Sequence, residues 1–233
     1  MEKGKISRRE IIKTAFIKSL PVMCSYLFIG IAYGMSMQEN GLAWFWSLIV
    51  SSTVYTGAYQ FVLITFLSGG ASLITVALTA LLMNSRQSFY ALTFLNDFKH
   101  MGKRKLYMIH TLTDETYAVN CTLADMPTEE REDTMFFVAL LSRIYWIASS
   151  ALGGIIGQLI PIQLDGIDFC MTAMFVIILI DQWEKADNHM PALTGLAIGI
   201  ACLMIFGASR FMLPALLITS GLLVLMGRKE ADA

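Results

Sequence analysis

The stretch Ser51–Gln60, SSTVYTGAYQ, decides how this chain is read, because it is polar where its surroundings are not. It lies inside an apolar run from Leu42 to Leu67 that is long enough to cross a bilayer. Serines, threonines, tyrosines, a glutamine and Gly57 occupy the centre of that run. Polar or irregular backbone at membrane depth is tolerated only where protein or a water-filled cavity covers it. The stretch therefore predicts a broken or re-entrant helix lining a solute path.

The composition agrees with a membrane setting. Hydrophobic residues make up 56% of the 233 and charged residues 15%, against about 25% charge in a soluble domain. There is too little polar surface to cover a globule, so the expected partner of the outer faces is lipid. A net charge of −1 gives no reason to expect nucleic acid. Cys24, Cys121, Cys170 and Cys202 form no CxxC and read as small apolar filler. His100, His110 and His189 lack paired-ligand spacing, and neither GxGxxG nor GxxxxGK[ST] occurs. No metal, nucleotide or other cofactor is expected.

Upstream of the central stretch, a basic N-terminus leads into Thr14–Met37. That apolar stretch exceeds a signal-peptide core and has no small-x-small cleavage site, so it predicts a retained spanning helix of about 20 residues or more. Pro21 is placed to kink it, and the Gly30/Gly34 spacing permits close packing against a neighbour. Downstream, Ser68-Gly69-Gly70 reads as a turn, and Ala71–Met83 runs into Asn84–Tyr90, so that its helix either carries Arg86 at depth or breaks near Asn84. Met108–Asp125 is only moderately apolar and is not assigned as spanning. Pro127–Glu130 reads as a helix start with early acids favoured by the helix dipole. Thr134–Ile160, Asp168–Trp183, Ala192–Phe206 and Phe211–Met226 follow as apolar segments.

Lys and Arg mark cytoplasmic loops. The N-terminus, the loop at Lys99–Lys105 and Arg228-Lys229 are basic, whereas Gln38–Gly41 and Pro161–Asp168 carry acids and no bases. A single crossing by Leu42–Leu67 would put Lys99–Lys105 on the wrong face; a segment that enters and returns to its own side puts it, and both termini, in the cytoplasm. The expectation is an all-α, polytopic integral membrane helical bundle with discontinuous or re-entrant helices. It is read as a single transporter domain over 1–233, with a cytoplasmic segment 1–13 and a cytoplasmic tail 227–233.

Three polar clusters are candidates for function, since ionisable and polar groups at membrane depth are rare. The first is Tyr55, Thr56, Gly57, Ala58, Tyr59 and Gln60. Gly57 can break the helix, and the half-helix after it would open with backbone N–H groups and the positive dipole end, which suits a carboxylate. The plainer reading is a polar seam between helices. The second cluster holds Asn84, Arg86 and Tyr90, with Arg86 and Tyr90 on one helix face. A buried guanidinium needs a carboxylate, carbonyls or a bound anion; a structural or snorkelling arginine is the alternative. The third is Asp114-Glu115-Thr116-Tyr117, whose acids could pair with Arg86 or the Lys99–Lys105 loop and carry a proton in transport. An ordinary solvated acid pair is the alternative. Asp168 and Asp181, at the ends of one segment, rank lower.

In their order and spacing, TGAYQF (Thr56–Phe61), NSRQSFY (Asn84–Tyr90), DETY (Asp114–Tyr117) and DFCMTAMF (Asp168–Phe175) resemble the AzlC family of branched-chain amino-acid transport proteins. The resemblance runs from about Thr14 to the C-terminus. It implies a large subunit that works with a small membrane partner of the AzlD type and exports leucine, isoleucine, valine or analogues, with azaleucine resistance as the associated trait. Gln87 stands where the family often has histidine after its arginine, which removes a titrating group from that position. A scaffold subunit whose partner forms the path is the second reading. An enzyme using Asp114 and Glu115 as an acid–base pair is the third, but it lacks a nucleophile–base constellation or metal ligands, so no catalytic residue is expected.

Overall fold

The structure, a computed structural model, describes residues 7–159, 188–207 and 214–222, together with 176, 179–180, 183–184, 186 and 211. The side chains of Arg86 and Phe89 lie outside this description. So do Asp168, Asp181, most of the expected segment Asp168–Trp183 and the tail with Arg228-Lys229.

Helix α1 (Arg8–Glu39) opens on a capping box, in which the Ser7 hydroxyl accepts from the Arg9 amide and the Glu10 carboxylate accepts from the Ser7 amide. Pro21 lies inside it without ending it. Next come α2 (Trp44–Thr53), α3 (Gly57–Gly69), α4 (Leu73–Thr93), α5 (Leu95–His100), α6 (Arg104–His110), α7 (Asp114–Cys121), α8 (Thr128–Leu159) and α9 (Met190–Phe206). No strand occurs among the described residues. Both α1 and α8 have 32 residues and are long and apolar enough to cross a membrane; at that length each rises about 48 Å, more than a hydrocarbon core of about 30 Å.

The chain divides into two compact units. In the first, carried by residues 7–68 and 86–159, α1 and α8 lie side by side and run parallel. Arg8 stacks over Phe137, Ser19 reaches Tyr145 at 3.4 Å, and Gly157 approaches Gln38, so that rising numbers on one helix meet rising numbers on the other. Small residues make this closeness possible. A Cβ on Gly30 would overlap the Ser149 side chain, one on Gly34 the backbone of Ser150 and Gly154, and one on Gly153 the backbone of Ile31. The Gly30/Gly34 spacing thus does the packing expected of it. The buried seam is rich in small hydroxyls, with Ser19, Ser36, Ser142, Ser149 and Ser150 at 3% exposure or less, while Ile17, Phe28, Ile144 and Leu152 point outward. Polar groups inside and large apolar groups outside suit a lipid surround.

Between α1 and α8 the chain makes two interrupted excursions. The first is α2–α3. Trp44 and Ser47 pack on Gly154 near the end of α8, and the Ser68 hydroxyl donates to the Asn40 side chain at 2.8 Å, bringing the end of α3 back beside the α1–α2 junction. The second is α6–α7. Arg104, opening α6, pairs with Asp133 near the start of α8 at 2.6 Å. Leu123, just past α7, packs with Phe98, Met101, Met108 and Met135 in one apolar cluster. Each excursion therefore starts and ends close to one end of α8, and the two use opposite ends.

Helix α4 runs unbroken through Asn84, so the break entertained there does not occur and Arg86 sits within a continuous helix. Met108–Asp125 is not one rod: it takes in the end of α6, a break at 111–113 and the whole of α7. In the second unit, the helical residues 214–222 pack Thr219 against Gly195 of α9, and Trp183 stacks on His189 at 4.2 Å.

Candidate functional site

The helix break expected in SSTVYTGAYQ is present: α2 ends at Thr53 and α3 starts at Gly57. The turn is made at Tyr55, whose φ is +46°, a left-handed conformation that side chains adopt at some cost. Gly57 has a different task. It is the first residue of α3, and a Cβ there would stand 3.3 Å from the Trp146 ring of α8. Its value is the close approach to that indole, not its backbone freedom.

Gln60 holds the gap together. Its side-chain oxygen accepts from the Thr56 amide at 3.1 Å and from Trp146 Nε1 at 2.9 Å, and its amide nitrogen donates to Ser51 Oγ at 3.1 Å. One buried side chain therefore ties the end of α2, the turn and the start of α3 to α8. Tyr55, Tyr59 and Gln60 are buried, whereas Thr56, Gly57 and Ala58 are only partly covered.

The tip of the second excursion meets this gap. Thr113 caps α7, with Asp114 and Glu115 in its first turn. Tyr26 of α1 donates its proton to Glu115 at 3.0 Å and accepts from the Thr113 hydroxyl at 2.9 Å. The partner of Glu115 is thus a tyrosine on α1; among the described ion pairs the Lys99–Lys105 loop pairs through Arg104 with Asp133 instead. Tyr55 faces His110, with ring centroids 6.5 Å apart. Tyr26 packs edge-on against Trp146 at 5.3 Å, and Trp146 stacks on Tyr33 at 6.0 Å. Of the second cluster, Tyr90 stacks on Tyr117 at 4.7 Å, joining α4 to α7. Asn84 is partly covered on α4.

Four residues at this junction escaped sequence reasoning: Tyr26, Thr113, Trp146 and Arg143. Arg143 stands at the midpoint of α8 and donates to the Ser52 carbonyl at 2.5 Å, with its guanidinium 5.7 Å from the Tyr55 ring and 5.5 Å from the Tyr107 ring. Only the rarity of a charge at the centre of an apolar helix could have found it.

Four half-helix ends come together here. The carbonyl end of α2 meets Arg143; the carbonyl end of α6 carries His110; the amide end of α7 carries Asp114 and Glu115. Arg143, Asp114 and Glu115 have the sign that the helix dipole favours. The amide end of α3 has no acid in its first turn. Its leading N–H groups, starting with Gly57 and Ala58, have no acceptor within their own helix, as at any helix start. It offers positive potential to an anion.

Long apolar helices around a polar core, with shorter helices that break and meet between them, describe an α-helical membrane protein. The sequence profile described as AzlC protein matches residues 21–160. The chain belongs to the AzlC family. It is 37% identical over 215 residues to the branched-chain amino acid transport protein AzlC of Bacillus subtilis, covering 92% of this chain and 84% of that protein. It is also 37% identical over 220 residues to an uncharacterized membrane protein of Helicobacter pylori, covering 94% of this chain and 96% of that protein. The inner membrane protein YgaZ of Escherichia coli is 27% identical over 191 residues, 78% of either chain. No solved structure matches the chain.

Proposed function

We propose that this protein is a secondary transporter subunit that exports branched-chain amino acids across the cytoplasmic membrane. The observation that carries this reading is the amide end of α3, which, unlike the amide end of α7 beside it, has no acid in its first turn. The carboxylate of leucine, isoleucine or valine docks there, against Gly57 and Ala58, in the manner of discontinuous transporter helices. Tyr55, Thr56, Tyr59 and Gln60 shape and hold that end, and Asn84, Arg86 and Tyr90 of α4 are further candidates for substrate contact. The substrate ammonium meets Asp114 or Glu115, which also serve proton coupling. The name of the Bacillus subtilis relative supports the substrate class.

In this reading α2–α3 is re-entrant and both termini are cytoplasmic. The Ser68–Asn40 hydrogen bond supports the first point and the basic loops the second. A small membrane subunit of the AzlD type completes the transporter, as the family resemblance implies. Reconstitution of the chain alone separates a binding subunit from a scaffold: autonomous binding of leucine is expected, and binding that needs the small subunit's residues supports the scaffold.

Gly57→Leu drives a side chain against the Trp146 ring, and Arg86→Ala removes a charge from α4. Each is expected to abolish valine efflux from preloaded cells while membrane insertion persists. Undiminished efflux in both variants removes the site assignment.

A further inference from the structure

We infer that Arg143 is a substrate-binding residue and supplies the positive charge that pairs with the carboxylate of the transported amino acid. The inference rests on the transport reading above and assigns it a cation that the motifs of the chain do not mark.

A guanidinium at the midpoint of a membrane-crossing helix, half-buried as that of Arg143 is, is costly unless it finds partners of opposite charge. Among the described residues Arg143 makes no ion pair; the two that occur there are Arg104–Asp133 and Arg131–Asp97. Its partners are the backbone carbonyl of Ser52, the ring of Tyr55, and the ring and hydroxyl of Tyr107. A guanidinium has five N–H donors in a planar fork, and one carbonyl and one hydroxyl leave donors enough for a carboxylate. The two tyrosine rings, one from each interrupted excursion, hold the fork in place.

The position suits the role. Arg143 touches Ser52 and Tyr55 at the gap, and Trp146, one turn further along α8, touches both Gly57 and Gln60. The arginine and the amide end of α3 therefore flank the same gap. Tyr26 spans from Trp146 to Glu115, so a carboxylate of the opposite sign lies across the same cluster. An amino acid carrying both charges matches this arrangement; an amine or an acid alone matches half of it.

The test compares leucine with 3-methylbutylamine, which keeps the side chain and the ammonium but lacks the carboxylate, by calorimetric titration of the purified full chain. Wild-type protein is expected to prefer leucine. R143Q should weaken leucine about tenfold or more, the range of a charge-assisted hydrogen bond, and leave the amine within about twofold. R143K, which keeps the charge but not the fork, should fall between for leucine and again spare the amine. It also decides the matter if R143Q does not fold. Equal weakening of both ligands means that Arg143 only braces the gap, and unchanged leucine affinity means that it does not face the substrate; either overturns the inference while transport stands. Wild-type protein that binds no branched-chain amino acid overturns the function itself, and this assignment with it.

Discussion

Leucine in place of Gly34 is expected to leave no folded protein to purify. A Cβ at this position would overlap the Ser150 carbonyl oxygen and the Gly154 amide nitrogen. Both are backbone atoms of α8 and cannot turn aside as a side chain would. Overpacking a core usually costs about 1–3 kcal/mol, because side chains and local backbone can shift. Here relief comes only by parting α1 from α8 along the seam that Gly30, Gly34 and Gly153 create. The variant should give no monodisperse peak in detergent, and Gly34→Ala a reduced yield. Gly199→Leu is the control, since no neighbour lies within 4 Å of a Cβ there among the described residues. A Gly34→Leu protein that melts at the wild-type temperature would show that the helices are not in contact.

The second large effect is expected at Gln60. Leucine has nearly the same volume but no polar atoms, so Gln60→Leu leaves the Thr56 amide and Trp146 Nε1 without their acceptor and Ser51 Oγ without its donor. Each buried donor left unmade costs about 1–3 kcal/mol. The loss falls on the turn that positions the amide end of α3. Valine efflux should therefore disappear and the melting temperature of the purified protein should drop. Full efflux from this variant would mean that the gap does not need its latch, and that the latch has another purpose.

The same two positions show what the sequence could and could not reveal. Gly30 and Gly34 were legible because small residues four apart describe a helix face without reference to any other segment. The break in SSTVYTGAYQ was legible because polarity at membrane depth is informative by itself. The identity of the turning residue was not. Glycine is the expected left-handed residue, yet Tyr55 takes that conformation, with its ring held beside His110 and Arg143. Arg143 was passed over because its meaning lies in Ser52, 91 residues away in sequence. The break within Met108–Asp125, between α6 and α7, was hidden for a related reason. Thr113 and Thr116 form a capping box with threonine at the third position, where Glu or Gln is the usual signal. The partner of Glu115 could not be read at all, because Tyr26 lies in a different helix and carries no charge.

The central claim is that the amide end of α3 opens onto the solute path and is occupied by the substrate. Ala58, in the first turn of α3 and only partly covered, reports on it directly. In a chain whose own four cysteines have been replaced, Ala58→Cys should react with a small water-soluble thiol reagent, and leucine should slow that reaction saturably while glutamate does not. A cysteine at 58 that never reacts, or that reacts at one rate whether or not leucine is present, contradicts the account.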